Sequence, residues 1–275
     1  MEKYFDSLEP ITVLNRDGIE KTAEEKKKQV DSQIMDFIKG IKPDKDKEIY
    51  AYVLAMGDDR WGSNSNSDLF PYDQLNPHGT NEYGHETFLK AGLYNHHKNK
   101  NPKLSLGNIV MSIFNPIMHR VELIKRVDRQ LCKERDTCNI YDRLLDGELI
   151  PTSIGCRVSH DSCSVCHNKA KNKTEYCDHI KNSLGKIMPN GIKVMMINVR
   201  PVFFDDSFVT NPAFKPASVI SILEEKDGKN WIKNLSQGKE KLINDFEAPI
   251  FDAHPLIASL KDFLYNEGAI YASMS

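Results

Sequence analysis

The stretch "LIPTSIGCRVSHDSCSVCHNKAKNKTEYCDHI", Leu149 to Ile180, sets two chemistries side by side. Its first part reads as a strand, with Ser153 two positions before Gly155. Its second part gathers Cys163, Cys166 and Cys177 with His160, His167 and His179 in a polar segment. A serine becomes a nucleophile only with a base in reach and a group that orients the base. A glycine just after it lets backbone amides approach a reacting oxygen. Cys163 and Cys166, two positions between them, form a knuckle whose thiolates reach one ion.

The rest of the chain bounds these readings. It has 275 residues, 40% hydrophobic and 28% charged, with a formal net charge of -2. That length supports a sizeable core. The near-neutral balance disfavours a surface built to neutralise nucleic-acid phosphates. No apolar run reaches the roughly 18 residues that a bilayer-spanning helix needs, and the N-terminus lacks the basic-then-apolar order of a signal peptide. Six cysteines in such a chain read as thiols or metal ligands rather than disulfides.

Working outward, residues 1–47 read as a helical arm, with a capping pattern at Thr22 and Glu25. At Glu48 the pattern turns to strands. "IYAYVLAM" is a buried run, and "LSLGNIVMSIF" and "HRVELIKRVD" flank the turn "NPIM". Residues 129–146 read as one helix closed by Gly147. "IKVMMINV" and "FFDDSFV" follow the cysteine-rich insertion, 157–185. Many short strands with one intervening helix predict an α+β domain over 48–223, on a sheet or small barrel, and a C-terminal helical tail over 224–275. Phe203, Phe204 and Phe208 read as core or dimer contacts. The adjacent Asp205 and Asp206 read as a turn or surface pair.

His96 and His97 stand at a strand end, and Glu122 and Asp128 lie on a strand between them and Ser153. From Glu48 to Val209 the order of elements resembles the capsid-maturation (prohead) proteases of tailed bacteriophages. The resemblance runs through "DLFPYDQL", "ETFLKAGLYNHHKN", "PKLSLGNIV", "VELIKRVDR" and "DGELIPTSIGC", then "NVRPVFFDDSFV". It implies a β-barrel related to herpesvirus assemblin, flanked by helices, and a serine endopeptidase that cleaves scaffold and major capsid proteins inside the assembling head. The site it implies is Ser153 as nucleophile, His97 as base with His96 the competing choice, and Glu122 as third member with Asp128 the competing choice. The alternative is a silent virion structural protein on the same fold. A homodimer is compatible with either; a membrane or nucleic-acid partner is not expected. The location implied is the host cytoplasm, within the phage head.

The knuckle predicts a Zn2+ site of Cys163, Cys166, Cys177 and His179, with Cys156, His160 and His167 competing for the fourth position. A closed set of four ligands is structural, and here it would brace the strand of Ser153.

Overall fold

In the computed structural model, which describes residues 32–34, 36–37, 39–41, 44–77 and 79–223, the run "EIYAYVLAMG" is β1 (Glu48–Gly57), buried continuously from Ala51 to Gly57. Burial on both faces explains why its apolar residues do not alternate with polar ones. One edge of β1 pairs antiparallel with β4 (Arg120–Asp128) and the other with β10 (Ser218–Ile222). β3 (Gly107–Asn115) pairs with β4, giving the order β10-β1-β4-β3. The turn between β3 and β4 is held by Asn115, whose Oδ1 accepts from the amides of Ile117 and Met118 at 3.1 and 3.0 Å.

β5 (Thr152–Arg157) pairs antiparallel with β9 (Val202–Phe208). Single bridges tie this ladder to its surroundings, from Pro151 to Ser218 and from Gly92 to both Asn108 and Asp205. Among the described residues none of the sheets closes into a barrel by continuous ladders. A second sheet, in the order β2-β8-β6-β7, joins β2 (Asp68–Leu69), β8 (Met196–Val199), β6 (His160–Cys163) and β7 (Lys169–Ala170). The core lies between these elements and the segment before β3. Phe88 stacks on Phe203 with ring centroids 4.0 Å apart, and Phe70 packs on the same ring. Burying each such aromatic contributes about 1.5–3 kcal/mol.

The helices are short. α1 spans Tyr72–Leu75, and the single helix expected over 129–146 is two, α2 (Arg129–Arg135) and α3 (Ile140–Leu145). Asp128 caps α2 by accepting from the Leu131 amide at 2.9 Å. Asp136 breaks the run, because its carboxylate takes the amides of Cys138 and Ile140 that a continuous helix would use. α4 spans Asp178–Ser183.

Contacts divide the chain into two units, Met1–Ile222 and Leu223–Ser275. The capping pattern at Thr22 and Glu25 and the helical tail over 224–275 lie outside the described residues. Among the described residues no helix is long and apolar enough to cross a membrane.

Candidate active site and metal cluster

The β5–β9 ladder sets Ser153 opposite Ser207 and Gly155 opposite Asp205. Side chains two apart on a strand share a face, so Asp205 and Ser207 stand together beside Ser153. The segment 92–97 runs along the far side of β9, with the amide of Gly92 donating to the Phe204 carbonyl and that of His96 to the Phe208 carbonyl. There the chain turns sharply. His96 and His97 adopt φ of 48° and 57°, a left-handed pair that few non-glycine residues take up. The turn carries the His97 ring back over Asp205.

His97 Nδ1 lies 2.7 Å from Asp205 Oδ2. Asn99 Nδ2 donates to the same oxygen at 2.7 Å, and Ser207 Oγ donates to Asp205 Oδ1 at 2.6 Å. The His97 amide donates to Ser207 Oγ at 3.2 Å, which ties the ring's backbone to the same pair. Asp205 is fully buried, while the His97 side chain keeps 41% of its surface open. With Nδ1 directed at the carboxylate, Nε2 is the ring nitrogen left for exchange. The hydrogen bond to Asp205 raises the His97 pKa above its ordinary value; burial opposes this, and the charges of Asp205 and Asp206 add to it.

Ser153 is 8% exposed, and among the described residues its hydroxyl has no hydrogen-bond partner. It lines a cavity of about 330 Å³ together with His97, Thr152 and Cys156. The structure therefore brings Ser153 and His97 to one cavity.

Glu122 does not join them. It is buried on β4, where its Oε1 accepts from Arg120 Nε at 2.6 Å and Asn115 Nδ2 at 3.1 Å. Asp128 is committed to the α2 cap. The acidic partner of His97 is Asp205, one of the two aspartates expected in a turn or on the surface; both are fully buried. His96 is exposed and bonds β9 through its backbone. Gly155 faces Asp205 and leaves the space that its carboxylate fills.

The sequence held one unread signal. Lys125 sits mid-strand in "VELIKRVD", and a buried lysine needs a carboxylate. Its partner is Asp206, 2.9 Å away with both side chains fully buried, so the "FFDDSFV" run points inward. Nothing comparable marks Asn99.

The second cluster is local. Cys163 ends β6, Cys166 lies in the turn after it, Cys177 caps α4 and His179 is in its first turn. One ligand atom from each lies within 4.8 Å of all the others, a group that can hold a metal ion. The Val165 amide donates to Cys163 Sγ at 3.4 Å, and the His167 amide closes the turn onto the Cys163 carbonyl at 2.9 Å. Burial pushes the Cys177 thiol up, but the Ile180 amide and the facing Cys166, Cys163 and His179 outweigh it and bring the pKa down to about 7. A thiol that ionises near neutrality is suited to bind a cation. Two of the competing fourth ligands, Cys156 and His160, are engaged elsewhere. Cys156 faces the cavity, where burial pushes its pKa to about 12, and His160 Nδ1 lies 3.0 Å from Ser159 Oγ.

Comparisons with known proteins point away from phages. A protein of Parabacteroides distasonis named 4-diphosphocytidyl-2-C-methyl-D-erythritol kinase is 51% identical over 41 residues, 15% of either chain. One of the same name from Bacteroides thetaiotaomicron is 54% identical over 41 residues, and one from Bacteroides fragilis is 32% identical over 107 residues, 38% of this chain and 37% of that one. The chain thus spans 15% of the length of the first two relatives. No family model matches the chain. No solved structure matches it either. These relatives overturn the resemblance to prohead proteases. With it fall the serine endopeptidase, the silent virion structural protein, and the scaffold and capsid partners that it implied.

Proposed function

We propose that the cavity beside β5 and β9 is an acid–base site in which His97 takes the proton of the Ser153 hydroxyl and activates it for group transfer. The observation that carries this is the 2.7 Å contact of His97 Nδ1 with a fully buried Asp205. With Nδ1 engaged, Nε2 accepts the proton, and Asp205 both fixes the tautomer and favours the imidazolium that forms. Ser153 Oγ then bonds to an electrophilic centre, whose leaving group departs with its electron pair. The proton held on His97 is returned to that leaving group.

The test is phosphonylation by an alkyl fluorophosphonate, a reaction at phosphorus that needs only an activated hydroxyl. Intact-mass and peptide analysis should find one adduct, on Ser153, with fluoride released. The adduct should be absent in Ser153→Ala and form about a hundredfold more slowly in His97→Gln. A folded wild-type chain that stays unmodified, or carries the label elsewhere, overturns the proposal.

For the cluster of Cys163, Cys166, Cys177 and His179 the ion we propose is zinc, which takes such sulfur and nitrogen ligands tetrahedrally. Four protein ligands leave no open position, so its role is structural. Metal analysis of the purified chain tests this; another ion, or none after growth in zinc, contradicts it.

A second reading follows from the relatives' name: phosphoryl transfer to 4-diphosphocytidyl-2-C-methyl-D-erythritol. The short identity of about half over 41 residues favours it. Phosphorus NMR of the chain with that compound, ATP and Mg2+ tests it. A new phosphomonoester signal supports the reading, and unchanged substrate removes it.

A further inference from the structure

The cavity that holds Ser153 and His97 has a second, acidic wall. Asp68 begins β2 and Asp161 lies on β6, on either side of β8. Their register partners on β8 are Met196 and Asn198, and both carboxylates line the cavity. Each is fixed by neutral donors. Asn198 Nδ2 donates to Asp68 Oδ1 at 3.3 Å, and Tyr176 Oη donates to Asp161 Oδ2 at 2.6 Å.

Neither carboxylate has an ion-pair partner among the described residues, and no lysine or arginine lines the cavity. Burial raises the Asp68 pKa; the Asn198 and Asn64 side chains pull it down, and the charge of Asp161 pushes it up. Two carboxylates thus share one partly buried wall with no lysine or arginine to balance them, an arrangement that a positive group relieves. Beside them stand Phe70, Met196 and Phe214. A second observation points independently to a ligand: Ser153, more than nine-tenths buried, turns a hydroxyl without a protein partner into the same cavity.

We propose that this cavity receives an organic cation, an ammonium or guanidinium on a short apolar stem, with Asp68 and Asp161 holding the charge. The proposal rests on the reading of Ser153 and His97 as the reacting pair, for which it names the ligand class. Metal ions fit less well, because the donors around the two carboxylates are side-chain amides and a phenol already spent on them.

The experiment measures binding of n-butylguanidinium and its neutral isostere n-butylurea to the metal-loaded full chain carrying Ser153→Ala, by calorimetry. Without the serine hydroxyl the result does not depend on any reaction. The guanidinium should bind about tenfold tighter or more, a preference expected for a partly buried charge pair and lost in both Asp68→Asn and Asp161→Asn. Equal binding of the two probes, or no binding, overturns the proposal. So does displacement of the guanidinium by micromolar Ca2+, which would make the acidic pair a metal site. Failure of Ser153 phosphonylation with the guanidinium preference intact would remove the group-transfer reading and leave the cation subsite standing.

Discussion

Gly155 and Asp205 face each other across the β5–β9 ladder, and the carboxylate of Asp205 occupies the space that the missing side chain leaves. A Cβ at position 155 would lie 3.1 Å from Asp205 Cβ and 3.2 Å from Oδ2. The glycine therefore leaves room for the carboxylate at the position from which that same oxygen meets His97 Nδ1.

Gly155→Ala should displace the carboxylate by a few tenths of an ångström while the strand pairing survives. We expect a stability loss of about 1–2 kcal/mol in urea unfolding, from overpacking. The rate of Ser153 phosphonylation should fall about tenfold, since catalysis is sensitive to small misplacements. A variant with unchanged labelling would show that the carboxylate position is not coupled to the serine.

The acid–base reading fixes a pH dependence. The folded pKa of His97 is raised above its ordinary 6.5. Labelling needs the neutral ring, so its rate should climb through that raised value and level off above it. Asp205→Asn should move the midpoint down. The linkage to stability has the opposite slope. The His97–Asp205 pair stabilises fully below the unfolded pKa, and the contribution fades as pH rises through the folded value. Ring-proton NMR titration of His97 with urea unfolding at several pH values checks both.

Removing the zinc proposed for the cysteine cluster should loosen the second sheet without dissolving the first. Cys163→Ser, or treatment with phenanthroline, should release about one ion per chain. Hydrogen exchange should then quicken across residues 160–183, while the amides of β1 and β4 stay protected. Asp161 and Tyr176 lie on the loosened elements, so n-butylguanidinium binding should weaken with them. Unchanged exchange after complete metal loss would contradict a structural role.

Lys125 and Asp206 make a buried pair under the site, with the ammonium also 4.6 Å from the centre of the Phe208 ring. Lys125→Met leaves an unbalanced carboxylate and should cost about 3–5 kcal/mol. Replacing both residues by apolar ones of similar volume should recover most of that loss. A single variant as stable as the wild type would mean that Asp206 takes up a proton at little cost.

What the sequence disclosed follows from the range of the interactions. The strands β1, β3 and β4 are legible because burial and the Asn115 turn are written in adjacent residues. The Cys163–Cys166 knuckle is legible for the same reason, and His179 lies two positions from Cys177. Asp205 is not legible, because it meets His97 across 108 positions through a ladder that no local pattern announces. Glu122 drew the third place as a strand carboxylate, but its side chain is taken up by Arg120 and Asn115, contacts that only the fold discloses. The break between α2 and α3 hides in the Asp136 side chain, whose preference for a turn over a helix depends on which amides it finds.

We infer that Asp205 acts on Ser153 through His97. The most direct measurement is a double-mutant cycle on the phosphonylation rate, with Asp205→Asn, His97→Ala and the two combined. Residues that work as one unit lose activity non-additively, so the double variant should be no slower than His97→Ala alone. Additive losses would show that Asp205 acts independently of the histidine and would overturn the coupling of the three residues.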